Sequence, residues 1–278
     1  MTLCEAFEST ARWTWHTLGS ANRHAVRFGE DAVTSAVVLG LKEWGPLGVR
    51  VADTRDVEAV IGADIEFWYQ RDNGDWCGFA VQAKKGSAKQ PGGGRYDSLS
   101  HYVRGIRQVD LLMAYAAAAG VVPLYLFFNF DGVAPVGWAA GSCGAEVLGD
   151  DQLGCTIIHA GEVGRALRVR SGRTFRWLHG PGGAIPLRNV CCPIETRPKW
   201  WTSTERNDTC HEELPLRVRL RIAGRAQMRN EVYGGDDDPA SLFVSLGTAV
   251  EPTKMVASHV VVFPNLEIRT AKDTDDQS

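Results

Sequence analysis

The chain has no excess of positive charge. Its 30 basic residues against 33 acidic ones leave a net charge of −3, which excludes a histone-like coat or a polybasic membrane-surface protein. Its opening residues have little of what a secretory leader needs: Met1-Thr2-Leu3-Cys4-Glu5 carries an acid where a basic segment and then an apolar one would be needed, so secretion is not expected. Cysteine is scarce and odd in number; seven scattered through 278 residues do not make a disulfide framework and favour reduced cytosolic thiols. There is no repeat of useful period and no long linker. Long apolar runs are reduced to one, the 20 uncharged residues from Leu111 to Phe130, about the length that crosses a bilayer. Its texture divides it. Gln108 to Ala119 is rich in Ala and Leu as a helix is, Gly120 stops it, and Val121 to Phe130 is β-branched and aromatic around Pro123 as in a buried strand. The expectation is a cytoplasmic protein with no membrane partner.

What remains is an ordinary globular mixture, 44% hydrophobic and 23% charged, long enough for one large core with an appended module. Charge is uneven along it: residues 160–230 hold 14 Lys/Arg against 6 Asp/Glu, so a basic stretch lies inside an acidic protein. Arg12 to Trp44 reads as helical with a break near Gly19. Val49–Thr54, Ala63–Tyr69 and Trp76–Lys84 read as strands, and Ser98–Ala119 as a helix after the loop at Pro91-Gly92-Gly93-Gly94. Cys155–His159, Leu167–Arg170, Leu216–Ile222 and Val256–Phe263 look like further strands, and Ala271–Ser278 like a disordered tail. Strands interleaved with helices indicate a mixed α/β sheet.

The chemistry-bearing stretch is Gly62-Ala63-Asp64-Ile65-Glu66-Phe67-Trp68-Tyr69, a polar turn at Asp72-Asn73-Gly74-Asp75, and Trp76-Cys77-Gly78-Phe79-Ala80-Val81-Gln82-Ala83-Lys84-Lys85. It reads as a β-hairpin with a carboxylate entering one strand, and a carboxamide and an ammonium sharing one face at the end of the other. Hydrolysis of a phosphodiester asks for a cation against a non-bridging oxygen, an oriented water, and neutralisation of charge in the pentacovalent state. Asp64, the Gln82 amide oxygen and the Ala83 carbonyl form a candidate oxygen shell for Mg²⁺, with Lys84 to steady the phosphate or the attacking hydroxide. The arrangement makes a geometric demand. A two-residue Asn73-Gly74 turn would put Asp64 opposite Ala83 and so on the wrong face, whereas an odd loop or a bulge puts it opposite Gln82 or Lys84.

Gly-Ala-Asp, a hairpin, then Val-Gln-Ala-Lys resembles the active-site signature of the PD-(D/E)xK nuclease superfamily. The Gln in place of Glu resembles its Mrr-like restriction endonuclease branch, including a bacterial family of uncharacterised proteins. The resemblance covers about the first half of the chain and implies an α/β, restriction-endonuclease-like mixed sheet flanked by helices. It also implies Mg²⁺-dependent cleavage of DNA, or of RNA in second place, with Mn²⁺ as substitute, and a role in bacterial defence or restriction. The family's proline before the Asp is here Ala63, and its second acid is Gln82, which weakens the metal shell. The superfamily often adds an acid from the preceding helix. Glu30 fits it, lying on the stripe of Val33, Val37, Leu41 and Trp44, and equally fits a first-turn acid favoured by the helix dipole.

Arg165, Arg168, Arg170, Arg173 and Arg176, beside Trp177, form a basic run suited to phosphate contacts or to a solvated strand edge, and Lys85 adds a cation next to the site. Gln108 and Tyr115 resemble in kind residues that some relatives place near the phosphate, though a packing role fits them equally. Cys191-Cys192 with Cys210-His211 lacks knuckle spacing for zinc. The expected organisation is a nuclease core over residues 1–180, a β-rich basic C-terminal extension over 181–267 and a tail over 268–278. A homo-oligomer or an activating partner is compatible with it. The competing reading is a catalytically degraded nucleic-acid-binding or assembly protein of the same fold, kept open by Gln82; a zinc-stabilised adaptor would rest on the cysteines alone.

Overall fold

A computed structural model describes residues 3–44, 49–54, 58–70, 74–87, 94–130, 149–190, 210–212, 215 and 259–262. Two helices open the chain, α1 (Leu3–Arg23) and α2 (Glu30–Trp44), followed by β1 (Val49–Asp53), a short α3 (Glu58–Ile61), β2 (Ile65–Gln70) and β3 (Trp76–Lys85). A small hairpin, β4 (Tyr102–Val103) and β5 (Ile106–Arg107), precedes α4 (Gln108–Ala119) and β6 (Val122–Phe128). Then come β7 (Cys155–His159), α5 (Ala160–Ala166), α6 (Phe175–Leu178), β8 (Ile185–Pro186), β9 (Cys210–His211) and β10 (His259–Val262).

The main sheet runs β10-β1-β2-β3-β6-β7-β8, with β9 pairing β3. All pairs are antiparallel except β3 and β6, which α4 joins as a crossover. The expected mixed α/β sheet flanked by helices is therefore the observed fold. Strands from beyond residue 180 (β8, β9 and β10) enter this same sheet, so the extension is continuous with the core.

Alternation on β2 and β3 decides what each face meets. Phe67 packs edge-on against Phe7 of α1 at 5.4 Å and beside Phe79 at 5.8 Å, so the odd-numbered side chains face the amino-terminal helices. Helix α1 supplies Ala6, Phe7, Thr10, Ala11, Thr14 and Leu18 to that core, a three-to-four-residue spacing that makes one stripe. The even-numbered side chains face α4, which buries Gln108, Val109, Leu112 and Ala116. Glu66, wholly buried on that face, accepts hydrogen bonds from Trp68 Nε1 (3.0 Å) and Tyr115 Oη (2.9 Å), which satisfies a carboxylate that would otherwise be costly there. Opposite Trp68 stands Gly78; a Cβ on it would lie 2.5 Å from the indole, so only glycine lets the ring cross the sheet.

Several expectations are corrected. The break between the first helices falls at residues 24–29, not near Gly19, whose peptide stays within α1. Residues 98–107 do not continue one α-helix: Asp97–Ser100 is a single 3-10 turn, Arg104 and Gly105 both take positive φ (50° and 82°) in the two-residue turn that closes β4 on β5, and α4 begins only at Gln108. Leu167–Arg170 is not a strand but successive turns after α5, with the Arg168 N–H donating to the Arg165 carbonyl and that of Val169 to Ala166. Not all thiols are reduced. Cys4 and Cys77 are disulfide-bonded, since packing of distant segments rather than spacing decides which sulfurs meet. Cys155 is a free, buried thiol that donates to Thr14 Oγ1 (3.3 Å), and burial pushes its pKa up to about 12. The uncharged run divides into α4 and β6 as expected, and among the described residues no helix is long and apolar enough to cross a membrane. Leu216–Ile222, Ala271–Ser278, Cys191 and Cys192 lie outside the described residues.

Candidate active site

The register of β2 on β3 pairs Ile65 with Val81 and Gln70 with Trp76 without a bulge, and just before β2 the Asp64 carboxylate accepts from the Gln82 amide. This is the odd-loop register that a common site requires. Backbone contacts lock the carboxylate's place: the Thr54 N–H donates to the Asp64 carbonyl (2.8 Å), Asp64 N–H to Val81 O (2.9 Å), and Thr54 Oγ1 to Ala63 O (2.7 Å). Gly62, at φ +70°, makes the approach possible. A Cβ there would stand 2.7 Å from both the Gln108 carbonyl and the Leu112 nitrogen, so glycine admits the first turn of α4 against the chain just before Asp64.

Asp64, Gln82 and Lys84 are all buried. Asp64 Oδ2 accepts from the Ala83 N–H (2.7 Å) and from the Gln82 amide. The same Gln82 nitrogen lies 3.3 Å from the Ala83 carbonyl and 3.5 Å from Glu58 Oε1, while Gln82 Oε1 is buried without a partner. Three oxygens of Asp64, Glu58 and Ala83 thus converge on one amide nitrogen, and a fourth oxygen beside them is unspent. Glu58 also accepts from Gln108 Nε2, whose own oxygen is again buried and unpartnered. Tyr125, paired with Gln82 across β3 and β6, adds a buried hydroxyl with no partner. Burial foremost, then the charge of Glu58, drives the Asp64 pKa up to about 8, against the opposing pull of Lys84 and the Ala83 N–H. Tyr125 is shifted upward too, by burial first and then by Asp64, Asp110 and Glu58.

Glu30 stands apart from this cluster of oxygens. Its Oε1 lies 3.3 Å from Lys84 Nζ and its Oε2 accepts the Lys85 N–H (2.8 Å), so it anchors the ammonium at the end of β3. With its side chain 31% exposed, it marks the more open side of the site. Lys85 is half-buried, and its pKa is lowered by burial, with Glu30 opposing and Arg27 adding to the shift.

Glu58 is marked by no motif. The only local sign is its position four residues before Gly62, whose N–H closes the α3 turn on the Glu58 carbonyl (2.7 Å). Of the two α4 residues singled out from sequence, Gln108 joins the site through Glu58, whereas Tyr115 serves Glu66.

The basic run divides. Arg168, Arg170 and Arg173 border one cleft, Arg165 is paired with Glu162, and Arg176 is exposed on α6. His211 packs against Trp68, with Nε2 3.1 Å from the Gly120 carbonyl. Among the described residues, no three His, Cys, Asp or Glu side chains cluster as a metal site. The donor set around Asp64 instead mixes carboxylate, amide and carbonyl oxygens, and the orphaned Gln82 Oε1 is the kind of hard donor that Mg²⁺ accepts.

The profile of a family of unknown function (DUF6615) matches residues 3–270. The chain belongs to that family. A search of curated proteins finds no match. Membership extends over the amino-terminal helices, the hairpin that carries Asp64 and the basic stretch alike.

Proposed function

We propose that this chain is a divalent-metal-dependent nuclease of the PD-(D/E)xK type, hydrolysing phosphodiester bonds in DNA before RNA, in bacterial defence or restriction. The observation that supports it most is the convergence of Asp64, Glu58 and Ala83 oxygens beside the unpartnered Gln82 oxygen, with Lys84 at the next same-face position of β3. Asp64, Gln82 and Ala83 would hold Mg²⁺, with Mn²⁺ as substitute; when bound, the ion polarises the phosphoryl group and acidifies its water. Lys84 meets the charge that develops on the phosphorus oxygens as water adds and the ester oxygen leaves. Glu30 keeps that ammonium in place, and Glu58 with Gln108 holds the Gln82 amide, which makes them positioning residues.

The test is incubation of purified protein with plasmid, single-stranded DNA and RNA in Mg²⁺, in Mn²⁺ and in EDTA. Metal-dependent cleavage that Asp64→Ala and Lys84→Ala both abolish, with melting temperatures near or above wild type, is the expected result; wild-type turnover in either variant would sink the assignment. A folded protein that binds nucleic acid in every buffer and cuts none would favour the degraded-site reading. A cytoplasmic site of action belongs to the same proposal, and activity should persist in dithiothreitol despite the disulfides at Cys4 and Cys77.

A further inference from the structure

A second concave feature lies at the amino-terminal end of α4, whose N-cap Arg107 lines it. It is a cleft of about 360 Å³, within the range of ligand-sized pockets, walled by Ser100, Tyr102 and Arg107 on one side and Arg168, Arg170 and Arg173 on the other. The chain links the cleft to the oxygen cluster, because Arg107, which lines the cleft, immediately precedes Gln108, whose side chain donates to Glu58.

Its charges are unequally spent. Arg107 is held by Asp110 through two contacts (2.7 and 3.0 Å), and Arg173 donates to Ser100 Oγ (2.9 Å). Arg168 and Arg170 are exposed and form no ion pair among the described residues. Two arginines at a concave surface without carboxylates are an unneutralised field that favours a phosphate-bearing ligand. Beside them the β4–β5 hairpin presents Tyr102, 58% exposed and paired in register with Arg107. An aromatic ring left in water next to free guanidinium groups is what a base adjoining a phosphate would cover. Bases in a duplex are already stacked and cannot lend that face, whereas unpaired bases can.

We infer that this cleft binds a single-stranded stretch of nucleic acid, with a base on Tyr102 and its flanking phosphates on Arg168, Arg170 and Arg173. The inference deepens the nuclease reading by naming the substrate form delivered toward Gln108 and Asp64, but its test does not use cleavage.

Fluorescence anisotropy in EDTA would compare a labelled single-stranded oligothymidylate, an abasic strand of equal charge, and a duplex of equal length. The base-bearing strand should bind about 5- to 150-fold more tightly than the abasic strand, and Tyr102→Ala should erase that preference. Arg168→Ala and Arg170→Ala should weaken both strands and each lower the slope of log affinity against log salt by about 0.7. These are exposed side chains, and matched circular dichroism would confirm that the variants fold. Equal or tighter binding of the duplex, or variants that bind as wild type does, would overturn the inference. Binding of this pattern without cleavage in Mg²⁺ would instead overturn the nuclease reading and leave the cleft standing.

Discussion

Asp64 offers the sharpest perturbation, because the fold imposes on it a charge it accepts poorly. Its pKa stands at about 8 in the folded chain against an ordinary 3.8, burial being the larger cause and Glu58 the next. Between these values the folded protein holds a proton that the unfolded chain has released, so stability falls as pH rises through that window and levels off above it. Each unit of difference corresponds to ~1.4 kcal/mol, which puts the ceiling on the order of 6 kcal/mol. The site relaxes around the charge as it forms, so the working expectation is about 2 kcal/mol lost between pH 5 and about 8.5. Asp64→Asn keeps an acceptor for the Ala83 N–H and removes the charge. Urea unfolding, followed by Trp fluorescence at half-unit pH steps, should give a sloping curve for wild type and a flatter one for Asp64→Asn, the variant being the more stable by about 2 kcal/mol at the alkaline end. Added Mg²⁺ should restore wild type there and leave the variant unmoved, since an ion bound only by the folded state adds its own binding free energy. A wild-type curve as flat as that of the variant would falsify the buried-carboxylate description of the site.

Three further outcomes follow from the same contacts. Gln82→Glu adds a third carboxylate beside Asp64 and Glu58, so the metal-free protein should lose about 1–3 kcal/mol while Mg²⁺ binding tightens; calorimetric titration showing weaker binding would mean the neutral amide has a role of its own. Glu58→Gln removes the principal charge acting to raise the Asp64 pKa, so the stability decline described above should level off at lower pH and be smaller overall, and an unmoved curve would assign the shift to burial alone. Gly62→Ala places a methyl group 2.7 Å from the Gln108 carbonyl and the Leu112 nitrogen on a backbone at φ +70°, and should cost at least ~2 kcal/mol of stability by urea unfolding; a loss under ~0.5 kcal/mol would mean that α4 does not need this close approach.

The strands that position the site were legible because they are rich in β-branched and aromatic residues and bounded by turn residues; β1, β2, β3, β6 and β7 each lie within a residue or two of the expectation. The amino-terminal helical pattern was legible too, but not its interruption, because residues 24–29 contain no proline and only one glycine to announce a break. Ser98–Ala119 failed as a single helix for a different reason. Its fate turned on one two-residue turn at Arg104-Gly105, where an arginine takes a left-handed φ that side-chain type does not advertise. Leu167–Arg170 alternates apolar with basic residues like a strand edge, but α5 ends immediately before it, and its turns continue from that helix rather than extending beside another strand.

Within the site, the division between legible and hidden residues follows sequence distance. Asp64 and Gln82 lie on two strands joined by one short loop, so alternation and parity alone could require that they meet, and the register, with Ile65 opposite Val81, has that parity. Glu58 reaches Gln82 from a single helical turn, and Gln108 reaches Glu58 from a helix 50 residues away; no period in the chain links these positions. They are brought together by the close seating of α4 against Gly62, a tertiary event written in the sequence only as the absence of a side chain. The same seating carries Arg107 to the border of the arginine cleft. One glycine therefore sets both the electrostatics of Asp64 and the approach that a phosphate-bearing strand would take toward it.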